Sequence, residues 1–320
     1  MSEPAPAATP LEELVDAVSE RTDEEPESIR TWLDPFTEDG TVTPAAVESS
    51  VTDVSQVLAT AETRVDLATR THEEATAAAD GAPDLDVVDV RRRAFGDRLD
   101  DLRAEVEALG DEFGEARSEL DSPVAVYRAA VALHEVTTDA QDVVRVAHDL
   151  ETELEAFEAW ISSANRRHDG LVDDVEAAEE SAESVAEVVT ALREADEPDP
   201  ERRFDAAVQT RVLDLVVGDL RAEAADLRAW ADRDGVSFPD DVDARIDALE
   251  AEVADHAAAL AGGPDWDDRF GERLAALDAE LDAVEPPVAW ARVDESVAAA
   301  RSALSDDDAT VDETATPGRQ

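Results

Sequence analysis

The stretch from Thr37 to Glu48, TEDGTVTPAAVE, has the one spacing in this chain that suggests a defined ion chemistry. A calcium loop of the helix–loop–helix type draws oxygens from alternate positions, turns sharply at a glycine and closes on a bidentate Glu. With Gly40 as the turn glycine, Thr37 and Asp39 fall on ligand positions and Val42 on the apolar position after the turn. The first ligand position, however, falls on Pro35 and the closing one on Ala46, and neither has a side-chain oxygen. The residues fit a simpler reading, in which Asp39-Gly40 makes a turn, Thr43 caps a helix and Pro44 opens it.

The other residue types that could do chemistry are dispersed. His72, His168 and His256 each fall on an apolar seam of a different helical pattern. Such residues could form a buried metal or pH-sensing site, but a polar residue in a helical seam more often fixes register. Neither Glu-x-x-His nor His-x-x-x-His occurs, which sets aside di-iron bundles and zinc peptidases. Arg91-Arg92-Arg93, Arg166-Arg167 and Arg202-Arg203 could receive a phosphate or an acidic partner, but they are better read as neutralising neighbouring carboxylates. No phosphate loop or nucleophile elbow is visible. The expectation is therefore a non-enzyme with no catalytic, cofactor-binding or metal residues and no cofactor. Of the five tryptophans, Trp32 in the N-terminal segment and Trp290 in EPPVAWARVDES are the candidate partner contacts, since tryptophan anchors interfaces out of proportion to its frequency.

Composition bounds the setting. There are 82 Asp and Glu against 27 basic residues, for a net charge of −55. Every basic residue is Arg, and there is no Cys. A protein this acidic repels itself in dilute buffer, whereas at molar salt the Debye length of about 3 Å screens most of that repulsion. The acidity runs through the whole chain, so it describes the solvent, that of an extreme halophile, more than a partner. No basic stripe is available to neutralise phosphates, which disfavours nucleic acid. No apolar run approaches the roughly 18 residues needed to span a bilayer, and the start MSEPAPAATP lacks the charged and apolar regions of a signal peptide. The expectation is a soluble cytoplasmic protein without membrane insertion.

The elements that would position these residues are helices. From Val126 to Leu192 apolar residues alternate steps of three and four without losing phase, and His168 is the one polar residue in that seam. A pattern this regular predicts a coiled-coil seam. Ser122-Pro123 starts it and DEPDP stops it. Residues 162–170, SSANRRHDG, are where a kink or a reversal could interrupt it. Shorter seams precede and follow it. One runs from Val47 through His72 to Ala79, one from Phe95 to Leu120, one from Leu213 to Trp230 and one from Val242 through His256 to Leu260. The predicted fold is all-α, an elongated antiparallel helical bundle or coiled coil with long helices and no strands. Its predicted parts are a disordered tail over 1–10, a small helical module over 11–40, a long-helix bundle over 44–195, a second bundle over 199–304 and a disordered acidic tail over 305–320.

The Lys-free acidic helices TPAAVESSVTDVSQVLATAETR and VVGDLRAEAADLRAWADRDG, with the closing EPPVAW, resemble a family of haloarchaeal helical proteins labelled "halo transducer protein". The resemblance spans most of residues 11–304, and its motifs are packing motifs, so no site residue carries over. It implies kinship with signalling proteins, although this chain has no transmembrane segment of a membrane transducer. The functional expectation is a scaffold or adaptor that contacts protein partners through its helix faces, either other proteins or copies of itself as a homo-oligomer. The alternative is a signalling component that docks on a receptor or kinase helical bundle.

Overall fold

The computed structural model describes residues 9–22, 24–118, 122–197, 199–262, 264–288 and 290–313. Ten α-helices account for nearly all of them, so the fold is all-α. The described residues group into two compact units. The first runs to Asp80 and adds Phe95–Glu158, and the second takes Gly81–Ala94 and everything from Ala159 on.

In the first unit, α1 (Leu11–Ser19) and α2 (Pro26–Leu33) pack Leu14, Val15, Val18, Ile29 and Leu33 into a common core. Leu11 and Trp32, assigned to that core from sequence, are half-buried. A small sheet closes this module and corrects the expectation of no strands. β1 (Thr9–Pro10), β2 (Thr37–Glu38) and β3 (Thr41–Val42) lie antiparallel in the order β1-β3-β2. Asp39 (φ 51) and Gly40 (φ 76) both adopt positive φ, the geometry of a two-residue hairpin turn whose twist suits the flanking strands. Two-residue strands are too short to show an alternating pattern, which explains why the sequence does not reveal them. Thr9 and Pro10, placed in a disordered tail, instead pair with Val42 and Thr41; residues 1–8 lie outside the described part.

Helix α3 (Pro44–Ala79) follows, with Thr43 accepting from the Ala46 amide at 3.1 Å. Its seam residues Val54, Leu58, Ala61, Val65, Ala68, Ala75 and Ala79 are buried. α4 (Asp86–Ala116) begins in the second unit and continues into the first, where Leu99, Leu102, Leu109 and Phe113 are buried. Leu120, the expected end of that seam, lies outside the described residues. α5 (Pro123–Ser162) buries its predicted seam from Leu133 to Ile161.

At Ser163 the helical path breaks. This residue is extended (φ −135, ψ 113), and its hydroxyl accepts from the Arg166 amide to cap α6 (Ala164–Glu194). The seam continues through α6, with Leu171, Val175, Ala178, Ala182, Val185, Val189 and Leu192 buried. The break also changes the grouping expected from sequence. α6 packs against α7 (Pro200–Asp234) and α8 (Val242–Leu260), so residues 164–194 belong with the later helices and 44–195 is not one bundle.

α7 is the centre of the second unit. It touches α6, α8, α9 (Pro264–Leu281) and α10 (Trp290–Glu313). That role explains why its buried set is broader than one seam and includes Phe204, Val208, Thr210, Val217 and Ala231 beside Leu213, Leu220, Leu227 and Trp230. Asp199 caps its start and Gly235, at φ 68, ends it. The acidic tail expected from Ser305 is helical as far as Glu313, as the continuation of α10; residues 314–320 lie outside the described part.

Candidate functional site: a carboxylate ladder beside Trp290

Along α7 the residues Asp219, Glu223 and Asp226 stand at successive steps of four and three, which puts them on one side of the helix. Each holds a different piece of chain. Asp219 accepts from the Val288 amide at 2.8 Å and from the Trp290 indole at 3.2 Å. Glu223 pairs with Arg91 at 2.7 Å. Asp226 accepts from the Val87 amide at 3.0 Å, in the first turn of α4. A carboxylate bound to a helix's first amides satisfies donors that no carbonyl of that helix can reach.

Above this ladder lies a cavity of about 420 Å³. Its walls are apolar, from Val87, Val90, Ala178, Leu213 and Val288, and Arg91, Asp174, Asp219, Glu223 and Trp290 supply its polar groups. Glu223 is 8 % exposed. Burial pushes its pKa above the ordinary carboxylate range, and the nearby Arg91 guanidinium pulls partly the other way. Asp219 is also raised by burial, against the bonds from Val288 and Trp290 that favour its charged form. Asp174, which projects from α6 with much of its area exposed, is raised by desolvation of its carboxyl and lowered in part by Arg91. Three carboxylates therefore share one close guanidinium.

Arg91 also stacks over Trp160, 4.4 Å from the ring centroid. Trp160 meets Trp230 edge-on at 5.7 Å, and Arg167 covers Trp230 at 3.7 Å. Arg167 is 3 % exposed and donates to the carbonyls of Trp160 (3.2 Å) and Ile161 (2.8 Å), two of the acceptors left over where α5 ends. Arg203 repeats the device at the end of α8. It donates to Leu260 and Ala261 carbonyls and stacks 4.2 Å above Trp266. The arginine pairs thus do not all sit on surface carboxylates, because Arg167 and Arg203 close helix ends. Nothing in the sequence separates those two from Arg166 and Arg202.

Trp290 is half-buried at the 420 Å³ cavity. Trp32, in the first unit, is also half-buried. It meets His134 edge-on at 5.0 Å and lines a second cavity of about 360 Å³ with Phe36, Val54 and Leu133. The three seam histidines stand apart in character. His72 is half-buried with its Nε2 close to Gly96. His168 is 8 % exposed and packs edge-on to Phe238 at 5.3 Å, and burial together with the adjacent Arg167 holds its pKa below the usual imidazole value. His256 is 8 % exposed, and its Nε2 lies 3.5 Å from Glu252 without a hydrogen bond. Among the described residues, no group of three or more His, Asp or Glu could hold a metal ion.

Sequence reasoning missed the ladder, although a signal was present. Glu223 occupies the seam phase between Leu220 and Leu227, where an apolar residue is expected. A carboxylate in such a position needs a partner, and Arg91 is that partner. No helix among the described residues is long and apolar enough to cross a membrane. Compared with protein-family models, curated proteins and solved structures, the chain matches none.

Proposed function

We propose that the protein is a non-enzymatic helical scaffold or adaptor of a halophile cytoplasm, built on long coiled-coil helices and working through protein–protein contacts. The observation that carries this reading is the state of Trp290. Trp290 is half-buried at a cavity while its indole nitrogen is bonded to Asp219. An aromatic side chain already fixed in place loses little freedom when a partner covers it, which is what an interface anchor requires. The polar groups around it support the same reading. Asp219 and Glu223 are occupied by Trp290, Val288 and Arg91 within the unit instead of converging on an open point.

The test is cross-linking of the tagged protein in its native high-salt cytoplasm, with wild type and Trp290→Ala compared by mass spectrometry. Heterologous partners that cross-link to wild type and are lost with the variant are the expected result. An identical set of partners for both proteins would overturn the role of Trp290. Recovery of the chain alone would replace the adaptor by a self-assembling structural element.

A groove between α7, α8 and α9 favours a second reading, a signalling component that docks on a receptor or kinase bundle by helix addition. It is in line with the signalling kinship that the sequence resemblance implies. Receptor or kinase components among the cross-linked partners would favour it over a general scaffold.

A further inference from the structure

A groove of about 840 Å³ lies between α7, α8 and α9, separate from the ladder on α7. Small residues line it, among them Ala207, Ala254 and Ala257, together with the buried side chains of Val253, Leu260, Leu274 and Leu281. Trp266 lines it as well, with its ring fixed between Arg203 at 4.2 Å and Phe270 at 4.6 Å. Ala254 and Ala257 face solvent although both belong to the lining.

The dimensions suit a helix. An α-helix about 10 Å across with a 5.4 Å pitch fills roughly 420 Å³ per turn, so the groove would immerse about two turns, or about four turns to half their depth. The exposed Ala254 and Ala257 let a helix axis come close, as small residues do wherever helices pack tightly.

The charges select the kind of helix. Among the described residues, the one guanidinium lining the groove, Arg211, is already used. It bonds Asp278 through two nitrogens, the second at 3.2 Å, and donates to the Ala207 carbonyl at 3.0 Å. Asp214 and Asp282 also line the groove and are exposed. What remains for an incoming surface is an acidic edge. A second copy of this chain, with 82 acidic against 27 basic residues, would bring carboxylates to carboxylates.

We infer that the α7–α8–α9 groove receives one amphipathic helix of a different protein, with a small apolar face flanked by Arg or Lys that reach Asp214 and Asp282. This rests on the adaptor reading and names the chemistry of one partner. At molar salt the long-range attraction is screened, and direct contacts at the groove edge carry the selectivity.

Two labelled synthetic helical peptides of about four turns test it. They share an Ala/Leu face and differ only in having Arg or Glu at the flanks. Anisotropy with the full-length protein in about 1 M KCl reads binding to wild type, to Ala257→Trp, which fills the groove from an exposed position, and to Asp214→Arg/Asp282→Arg. The Arg peptide is expected to bind at least about tenfold tighter than the Glu peptide. Ala257→Trp should weaken it by a similar factor with unchanged helical circular dichroism, and the double Arg variant should reverse the preference. Equal affinity of the two peptides, no binding of either, or indifference to Ala257→Trp would each overturn the inference. So would a wild-type dimer in sedimentation that Ala257→Trp dissociates, since the groove would then belong to a second copy. Failure of the peptides while Trp290-dependent cross-links persist removes the groove assignment alone. Recovery of no heterologous partner by the wild-type protein removes the adaptor reading itself.

Discussion

The two units share exposed arginine–carboxylate pairs, but the second also turns arginines onto tryptophan rings. In the first, arginines work at the surface. Arg30 pairs with Glu12, Arg98 with Glu153 and Arg103 with Asp100, all between substantially exposed side chains. The core beneath them is aliphatic seam, with Phe95 against Phe157 at 5.4 Å. In the second unit, beside surface pairs such as Arg221 with Glu250, three arginines turn inward. Arg91, Arg167 and Arg203 each lie over a tryptophan ring and donate to a carboxylate or to the carbonyls that end a helix. The contrast shows why a chain with no lysine still manages both tasks. A planar guanidinium can stack and fork at once, whereas an ammonium can do neither. Where the seams are Ala-rich and bury little area, a stacked Arg–Trp pair adds both contact and hydrogen bonds at the helix ends.

The contrast breaks most visibly at Arg167. Arg167→Ala removes the donor to the Ile161 carbonyl, leaves the Trp160 carbonyl to the longer bond from the Ser163 amide at 3.4 Å, and opens space beside Trp230. A loss of about 3 kcal/mol is expected, the sum of two bonds from a charged donor and the lost stacking. Arg167→Lys should recover less than half of it. A urea midpoint for Arg167→Ala within error of wild type would remove the distinction between interior and surface arginines.

The pH response sharpens the same comparison. Glu223, Asp219 and Asp174 have folded-state pKa values above their ordinary ones. Between the ordinary and the raised values the folded protein holds more protons than the unfolded one, so stability falls as pH rises through that window. Their burial cost is complete above the raised values and is relieved on acidification. Glu12 in the first unit has the opposite sign, because the Arg30 bond lowers its pKa; its contribution is present above the ordinary Glu value and is lost as pH falls through the lowered one. Amide protection factors in α7, corrected for the intrinsic pH dependence of exchange, should therefore rise on mild acidification, and Glu223→Gln should flatten that slope while leaving protection in α1 and α2 unchanged. A slope in α7 that survives Glu223→Gln, Asp219→Asn and Asp174→Asn together would refute the assignment.

How much of this was legible in the sequence follows from the range of each interaction. The seams of α3, α5, α6 and α8 were legible because their period comes from the helix itself, and the helix starts at Thr43-Pro44 and Ser122-Pro123 because caps are local. Ser163 lay within the segment read as a weak point, but whether the chain kinks or reverses there depends on α6 finding α7 and α8. The grouping of residues 81–94 with 159 onward was not legible, since it rests on contacts such as Arg91–Glu223 between residues 132 apart. Of the candidate site, Trp290 was picked out by type and Glu223 was detectable as a carboxylate in seam phase. The role of Asp219 depends on Val288 and Trp290 returning to it, and no local spacing encodes that return.

Two smaller effects complete the comparison. Gly235 ends α7 at φ 68, with the Val236 amide bonded to the Ala231 carbonyl at 2.9 Å, and a Cβ there would meet nothing within 4 Å. The cost of Gly235→Ala is therefore backbone strain alone, about 1 kcal/mol. A cost well above that, measured by urea unfolding, would mean that a contact and not the left-handed conformation is what matters.

The smallest effect is expected in the first unit, and it tests the comparison from its other side. Arg98 and Glu153 form a two-pronged pair, with one contact at 3.0 Å, between side chains that are 41 % and 48 % exposed. Solvent screens such a pair, and holding two long side chains in one geometry offsets much of the attraction. A double-mutant cycle of Arg98→Ala and Glu153→Ala should give a coupling of less than about 1 kcal/mol, falling further as KCl is raised. The equivalent cycle for Arg91 and Glu223 should give a larger coupling that changes little with salt, because the Glu223 carboxylate is withdrawn from water. Equal couplings with equal salt dependence would mean that burial does not separate the two sets of arginines, and the difference between the units would then lie in helix packing alone.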